Sequence, residues 1–143
     1  MFLKFGKRKL DKVIINIDNI TYFYDREFTY IGSGGIHQEK TKPIIYYDKP
    51  NSVELEEYNV SKIDFDTLKE NIITNSTKEF VEFTLHNINA TSEDITKVYV
   101  NKDKICQVRL NGSLTCIIFN MKSDLCVRES IEDVFDALNN TSL

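Results

Sequence analysis

Val13-Ile14-Ile15-Asn16-Ile17-Asp18-Asn19-Ile20 recurs as Val98-Tyr99-Val100-Asn101-Lys102-Asp103-Lys104-Ile105. Both stretches read V-x-[IV]-N-x-D-x-I, and the second begins at 98 against 13, an offset of 85 positions. The β-branched residues at the head of the pattern suit a strand. Asn and Asp hydrogen-bond their own backbone, which places them in a tight turn rather than inside a strand. The closing Ile returns the chain to the core.

The flanks repeat in the same order. Phe2-Leu3-Lys4-Phe5 precedes the first motif and Phe80-Val81-Glu82-Phe83 the second, each alternating as a strand with one buried face. Strand-forming runs follow at 20–24, 44–47 and 53–58, and again at 105–110, 114–119 and 125–128. Each half closes with a helix signal. Ser61-Lys62-Ile63-Asp64 and Ser130-Ile131-Glu132-Asp133 place a capping serine three residues before an acid. Ile131, Val134, Phe135 and Leu138 make an apolar stripe, and Ile63, Leu68, Ile72 and Ile73 a rougher one. The expected fold is α+β: two tandem, divergent ββββα units with antiparallel sheets, each closed by a short helix and packed pseudo-symmetrically. An additional strand per unit is left open. The units are residues 1–74 and 78–143, joined by Asn75-Ser76-Thr77. Units this small bury too little surface to stand alone, so the copies are expected to pack together, with exposed edges covered in a homodimer or higher homo-oligomer.

The 143 residues are 41% hydrophobic and 28% charged, with nine Phe, seven Tyr and no Trp. This is an ordinary globular composition. The formal charge of −4 disfavours broad binding to nucleic acid or anionic membranes and leaves basic protein partners open. Lys4, Lys7, Arg8, Lys9 and Lys12 form the one basic cluster, which reads as a solvated strand end and turn. Cys106, Cys116 and Cys126 lack C-x-x-C spacing and are expected to be buried, reduced thiols. The first residues are too short for a signal-peptide core, and no run approaches membrane-spanning length. The expected location is the cytoplasm.

The segment 98–138 resembles the short bacterial FlbD-type proteins. The likeness rests on Asn101-Lys102-Asp103-Lys104-Ile105, on Leu110-Asn111-Gly112-Ser113, and on Val127-Arg128-Glu129-Ser130-Ile131-Glu132-Asp133-Val134. It covers about forty residues, all of them scaffold. The first half keeps N-x-D-x-I but has Tyr58-Asn59-Val60-Ser61 where the family has V-[KR]-E-S. The resemblance implies a fold and a bacterial or phage origin, and it brings no catalytic residues. Asn111-Gly112 is expected to form a two-residue hairpin turn.

Chemistry is sparse. The first half holds an insertion at 29–43 with Gly32-Ser33-Gly34-Gly35-Ile36-His37, then Lys40 and Lys42. A glycine-rich turn can aim successive N–H groups at an anion, with His and Lys adding charge. The alternative is a flexible hairpin connection, since neither phosphate-loop pattern is present and no helix follows. Arg26 and Arg109 among Tyr22, Tyr24, Tyr30, Tyr46 and Tyr47 suggest a pocket for a planar or phosphorylated ligand. Gly32, Ser33, Gly34, Gly35, His37, Lys40, Lys42, Arg26 and Arg109 are therefore the candidate ligand-binding residues. His37 and His86, the only histidines, show no metal spacing, so neither a metal nor another cofactor is expected. The carboxylates, including Glu54, Glu56, Glu57, Asp64 and Asp66, suit capping and solvated roles, and no catalytic residue is assigned. Three functions compete. The first is a non-enzymatic binding or adaptor protein acting through a sheet face, a sheet edge or the 29–43 loop. The second is a binder that sequesters an anionic nucleotide-like molecule, of phage counter-defence type. The third is a small hydrolase.

Overall fold

The computed structural model describes residues 2–5, 13–31, 37–48, 54–60, 63–86, 95–120 and 123–140. Each half runs through two strands, a 3-10 turn, three strands and a helix. The first half comprises β1 (Phe2–Phe5), β2 (Val13–Asn16), a turn at Ile17–Asn19, β3 (Ile20–Ile31), β4 (His37–Asp48), β5 (Leu55–Asn59) and α1 (Phe65–Asn75). The second comprises β6 (Phe80–Thr84), β7 (Lys97–Asn101), a turn at Lys102–Lys104, β8 (Gln107–Asn111), β9 (Leu114–Asn120), β10 (Ser123–Val127) and α2 (Ile131–Asn140). The chain is thus α+β with antiparallel sheets and two short helices. Five strands precede each helix rather than four, because the F-x-charge-F strand and the motif strand form a hairpin of their own.

The two motifs adopt the same local structure. Asn16 has φ −70° and ψ 115°, and its side chain accepts from the Asp18 N–H at 3.1 Å. Asn101 has φ −70° and ψ 112°, and accepts from the Asp103 N–H at 3.1 Å. The opening hairpins share a register as well: Phe2 lies opposite Asn16 and Phe5 opposite Val13, while Phe80 lies opposite Asn101 and Phe83 opposite Val98.

The halves do not keep separate sheets. A five-stranded sheet runs β5-β4-β3-β7-β6, so the second half's first hairpin completes the first half's sheet. Its junction is short: Tyr22, Phe23 and Tyr24 pair with Val100, Tyr99 and Val98. Strand alternation then sends side chains to two cores. On one face Phe23, Ile45 and Tyr99 pack with Ile15 and Ile17 of the first hairpin and turn and with Leu68 and Ile72 of α1. On the other, Tyr22, Val81, Phe83, Val98 and Val100 pack with Ile117, Phe119, Leu125 and Val127 of the β10-β9-β8 sheet and with Val134 of α2. The exchange is one-way: among the described residues, β2 and β8 do not pair.

Asn101 ties the halves where the turns meet. It is fully buried, and its amide donates to the Asp18 carbonyl at 3.3 Å and the Ile20 carbonyl at 3.0 Å. Asp18 in turn accepts from Ser76 Oγ at 2.7 Å, Thr77 N–H at 2.9 Å and Thr77 Oγ1 at 2.8 Å, clamping the 75–77 joint. The Ser76 hydroxyl, then the hydroxyl and backbone N–H of Thr77, hold its carboxyl down at about 2.

The helices begin as local chemistry dictates. Ser130 Oγ accepts from the Asp133 N–H at 3.1 Å, as expected of an N-cap. The cap of α1 is Asp64 rather than Ser61, which lies outside the described residues. Asp64 accepts from the Thr67 N–H at 2.9 Å and the Thr67 hydroxyl at 2.8 Å. Phe135 falls off the edge of the α2 stripe and is 65% exposed, while Val134 is buried. At the β8–β9 turn the ladder closes on Asn111 and Leu114, so the two-residue loop is Gly112-Ser113. Gly112 takes φ +63°, a conformation that favours glycine.

Asn101→Ala is expected to lower unfolding stability by about 1–3 kcal/mol, because it leaves the buried Ile20 carbonyl, the part-buried Asp18 carbonyl and the Asp103 N–H without their partner. Asn16→Ala, which removes only a local turn bond, is expected to cost less; urea denaturation of both variants measures the difference.

Candidate functional site

The 29–43 segment is mainly a β-ribbon, not a loop. β3 continues to Ile31 and β4 starts at His37, and the two pair in register to Ile31 opposite His37. The alternating Thr29–Ile31 run can extend the ladder, which sequence reading curtailed at Tyr24. Beyond Tyr24 and Ile44 the ribbon has no third strand among the described residues.

At the base of this ribbon lies a cavity of about 460 Å³, lined by Asp25, Thr41, Pro43, Ile63, Asp64, Phe65 and Asp66. The sequence builds it in steps. Phe23 is buried on the first-core face, and its ring meets Phe65 at 5.9 Å and Tyr99 at 5.3 Å, which fixes the start of α1 over the sheet. Asp25, two residues on, emerges on that face beside the helix start. Pro43 lies opposite Asp25 in register, and its carbonyl accepts from the Val60 N–H at 2.8 Å, holding the segment that leads to α1. Asp64 and Asp66 then flank Phe65 on the facing wall.

The site is strongly acidic. Asp64 is held below the usual carboxylate range by the Thr67 N–H and hydroxyl, so it stays charged. Asp25 goes the other way. Burial, aided by nearby Asp66, raises its carboxyl above 3.8 despite a hydrogen bond to Thr41. Its Oδ1 is buried with no hydrogen-bond partner among the described residues. Three carboxylates around one space suit a cationic group and repel phosphate.

The residues singled out from sequence fall elsewhere. Arg26 and Lys42 are cross-strand partners, both exposed, on the face opposite Asp25. Arg26 Nη1 is 3.0 Å from Glu57 Oε1, and Tyr46 donates to Glu57 Oε2 at 3.2 Å. An ion pair this exposed contributes at most about 1 kcal/mol. Behind them Tyr22 and Tyr46 stack at 4.4 Å and Tyr22 and Phe119 at 5.3 Å. Burial pushes the Tyr22 and Tyr46 hydroxyls well up, so these rings serve the core at least as much as any ligand. Arg109 is exposed on β8, in the other sheet. His37 and Lys40 lie on β4, but their side chains, and Gly32, Ser33, Gly34 and Gly35 entirely, are outside the described residues. Of the cysteines, Cys116 is buried, Cys126 half-buried and Cys106 exposed, the last because it sits just ahead of the edge strand β8. Among the described residues, no helix is long and apolar enough to cross a membrane.

Sequence reading passed over Asp25 because an isolated acid inside an aromatic strand carries no motif. Its signal is only that an acid occupies a position whose parity, set by Phe23, points inward. No known protein family, curated protein or solved structure matches this chain, so the chemistry rests on this geometry. Asp25→Asn is expected to stabilise the free protein by about 1 kcal/mol at pH 7, by removing an under-solvated charge. Because folding raises the Asp25 pKa, its destabilising effect is complete above the folded value and fades as pH falls toward 3.8. The gap between variant and wild type should therefore narrow on acidification in paired thermal melts.

Proposed function

We propose that the chain is a non-catalytic binding protein of bacterial or phage type, and that its acidic cavity receives a basic side chain from a protein partner. The observation that carries this reading is the buried Asp25 Oδ1, without a hydrogen-bond partner among the described residues, on the wall of a cavity whose other described ionisable groups are also acids. Leaving such an oxygen unpaired costs on the order of 1–3 kcal/mol. An incoming ammonium or guanidinium removes that cost and gains a charge-assisted hydrogen bond. The net charge of −4 steers a basic partner toward the protein at long range. Glu54, Glu56 and Glu57, at and beside the edge strand β5, extend the same sign next to Val60, which bonds the cavity wall.

The same proposal includes an origin by duplication of one FlbD-like segment. It is supported by the shared element order, the matching Asn turns and the common hairpin register. A homodimer would cover β8, an edge strand exposed at four of its five residues. We place the protein in the cytoplasm, where its thiols stay reduced. The anionic-ligand alternative draws on the 29–43 segment with Arg26 and Arg109, and of these arginines Arg26 is engaged by Glu57.

Calorimetric titration of the full chain with a lysine- and arginine-rich decapeptide is expected to give saturable binding. Asp25→Asn combined with Asp66→Asn should weaken it by about tenfold or more, equivalent to about 1.4 kcal/mol. Absence of saturable binding, or indifference to both substitutions, contradicts the proposal. A nucleotide that raises the melting temperature of the wild type but not of Lys40→Ala/Lys42→Ala would replace it with the anionic-ligand reading.

A further inference from the structure

Cys116 and Cys126 are ten residues apart in sequence, yet the β9–β10 register sets them directly opposite one another. Their sulfurs are 2.8 Å apart and share a hydrogen bond. Directly opposed residues share a sheet face, and so do residues two apart on a strand. Asp124 therefore lies on the same face as Cys126. One ligand atom from each of the three side chains lies within 4.8 Å of the others. The opposite face of these strands is committed to the core through Ile117, Leu125 and Val127.

We propose that Cys116, Cys126 and Asp124 bind one thiophilic divalent cation of the zinc and cadmium class, through two thiolates and a carboxylate, with a fourth position left to water. A tetrahedral ion with bonds of about 2.3 Å to sulfur holds its ligand atoms roughly 3.8 Å apart. The sulfurs need to separate by only about 1 Å, and the carboxylate oxygen, within 4.8 Å of both, needs to close in; rotation about the Cα–Cβ bonds supplies both movements. Each thiol releases one proton to solvent as its sulfur takes the metal, so one ion displaces two protons. Three anionic ligands exceed the charge of a divalent ion by one. Arg109, opposite Cys116 on β8 and so on the same face, offsets the remainder.

The ligand set decides between a cation and the competing use of paired thiols, a disulfide. A disulfide needs a thiolate to attack an oxidant such as a small-molecule disulfide, and it leaves Asp124 with no part. Among the described residues, the ionisable groups on the face of the Cys126 thiol include Cys116, Asp124, Arg109, Arg128 and His86, whose backbone N–H donates to the Cys126 carbonyl across the Leu85–Val127 bridge. Cys106 stands apart, donating its S–H to the Phe119 carbonyl at 2.7 Å, and provides an internal control.

The test is titration of the reduced full chain with cadmium, followed by the ultraviolet thiolate-to-cadmium charge-transfer band and by melting temperature. The expected result is saturation at one ion per chain, with a rise in melting temperature. Cys106→Ser should leave both unchanged. Cys116→Ser and Cys126→Ser should each lose the band. Asp124→Asn, at an exposed position that does not endanger folding, should weaken binding while retaining the band. No band with one equivalent of cadmium on folded protein whose three thiols titrate as reduced overturns the proposal, as does a band that depends on Cys106 or is indifferent to Asp124→Asn.

Discussion

Three cross-strand pairs between β3 and β7 hold this protein together. Tyr22, Phe23 and Tyr24 face Val100, Tyr99 and Val98, and through them a hairpin from the second half completes a sheet begun by the first. Ordering the five residues of β7 costs roughly 5–10 kcal/mol of backbone entropy, while burying Val98, Tyr99 and Val100 returns roughly 1.5–3 kcal/mol each. The strand is stable only because both its faces are covered, one by each half of the chain. The buried amide of Asn101 fixes the geometry of that junction, spanning from one turn to the carbonyls of the other.

Function follows from the same arrangement. Because β3 is paired on both sides near its start and on one side only farther along, its inward face changes character within one strand. Phe23 is sealed beneath α1. Asp25, two residues on, reaches the rim where the helix begins, and there it meets Asp64 and Asp66. The acidic cavity is a product of where the core ends. The cysteine pair has a similar origin in register: the β9–β10 hairpin places residues equidistant from its turn face to face.

Much of the scaffold was legible in the residues themselves. Asn and Asp in N-x-D-x-I read as a strand end and turn, and both copies adopt that structure with closely matching angles. Ser130 read as a cap and is one. These signals are local, so a single sequence can carry them. The pairing of β7 with β3 spans some seventy-five residues and leaves no local mark, because strands buried on both faces look alike whatever their neighbour. For the same reason neither the facing of Cys116 with Cys126 nor the inward turn of Asp25 was visible. The 29–43 segment misled through its glycines, which read as a loop in sequence and say nothing about how far the flanking strands run. Ser61 misled because the cap of α1 is Asp64, three residues later, which accepts from the Thr67 N–H.

The shared sheet is tested most directly by native-state hydrogen exchange, read residue by residue in increasing denaturant. If the β3–β7 junction joins the halves into one cooperative unit, the amides of residues 22–24 and 98–100 open with a single free energy and a single denaturant dependence, equal to those of global unfolding. If instead residues 98–100 exchange together with β8, β9 and β10 in one opening while residues 22–24 remain protected until another, the two halves fold independently and the account is wrong.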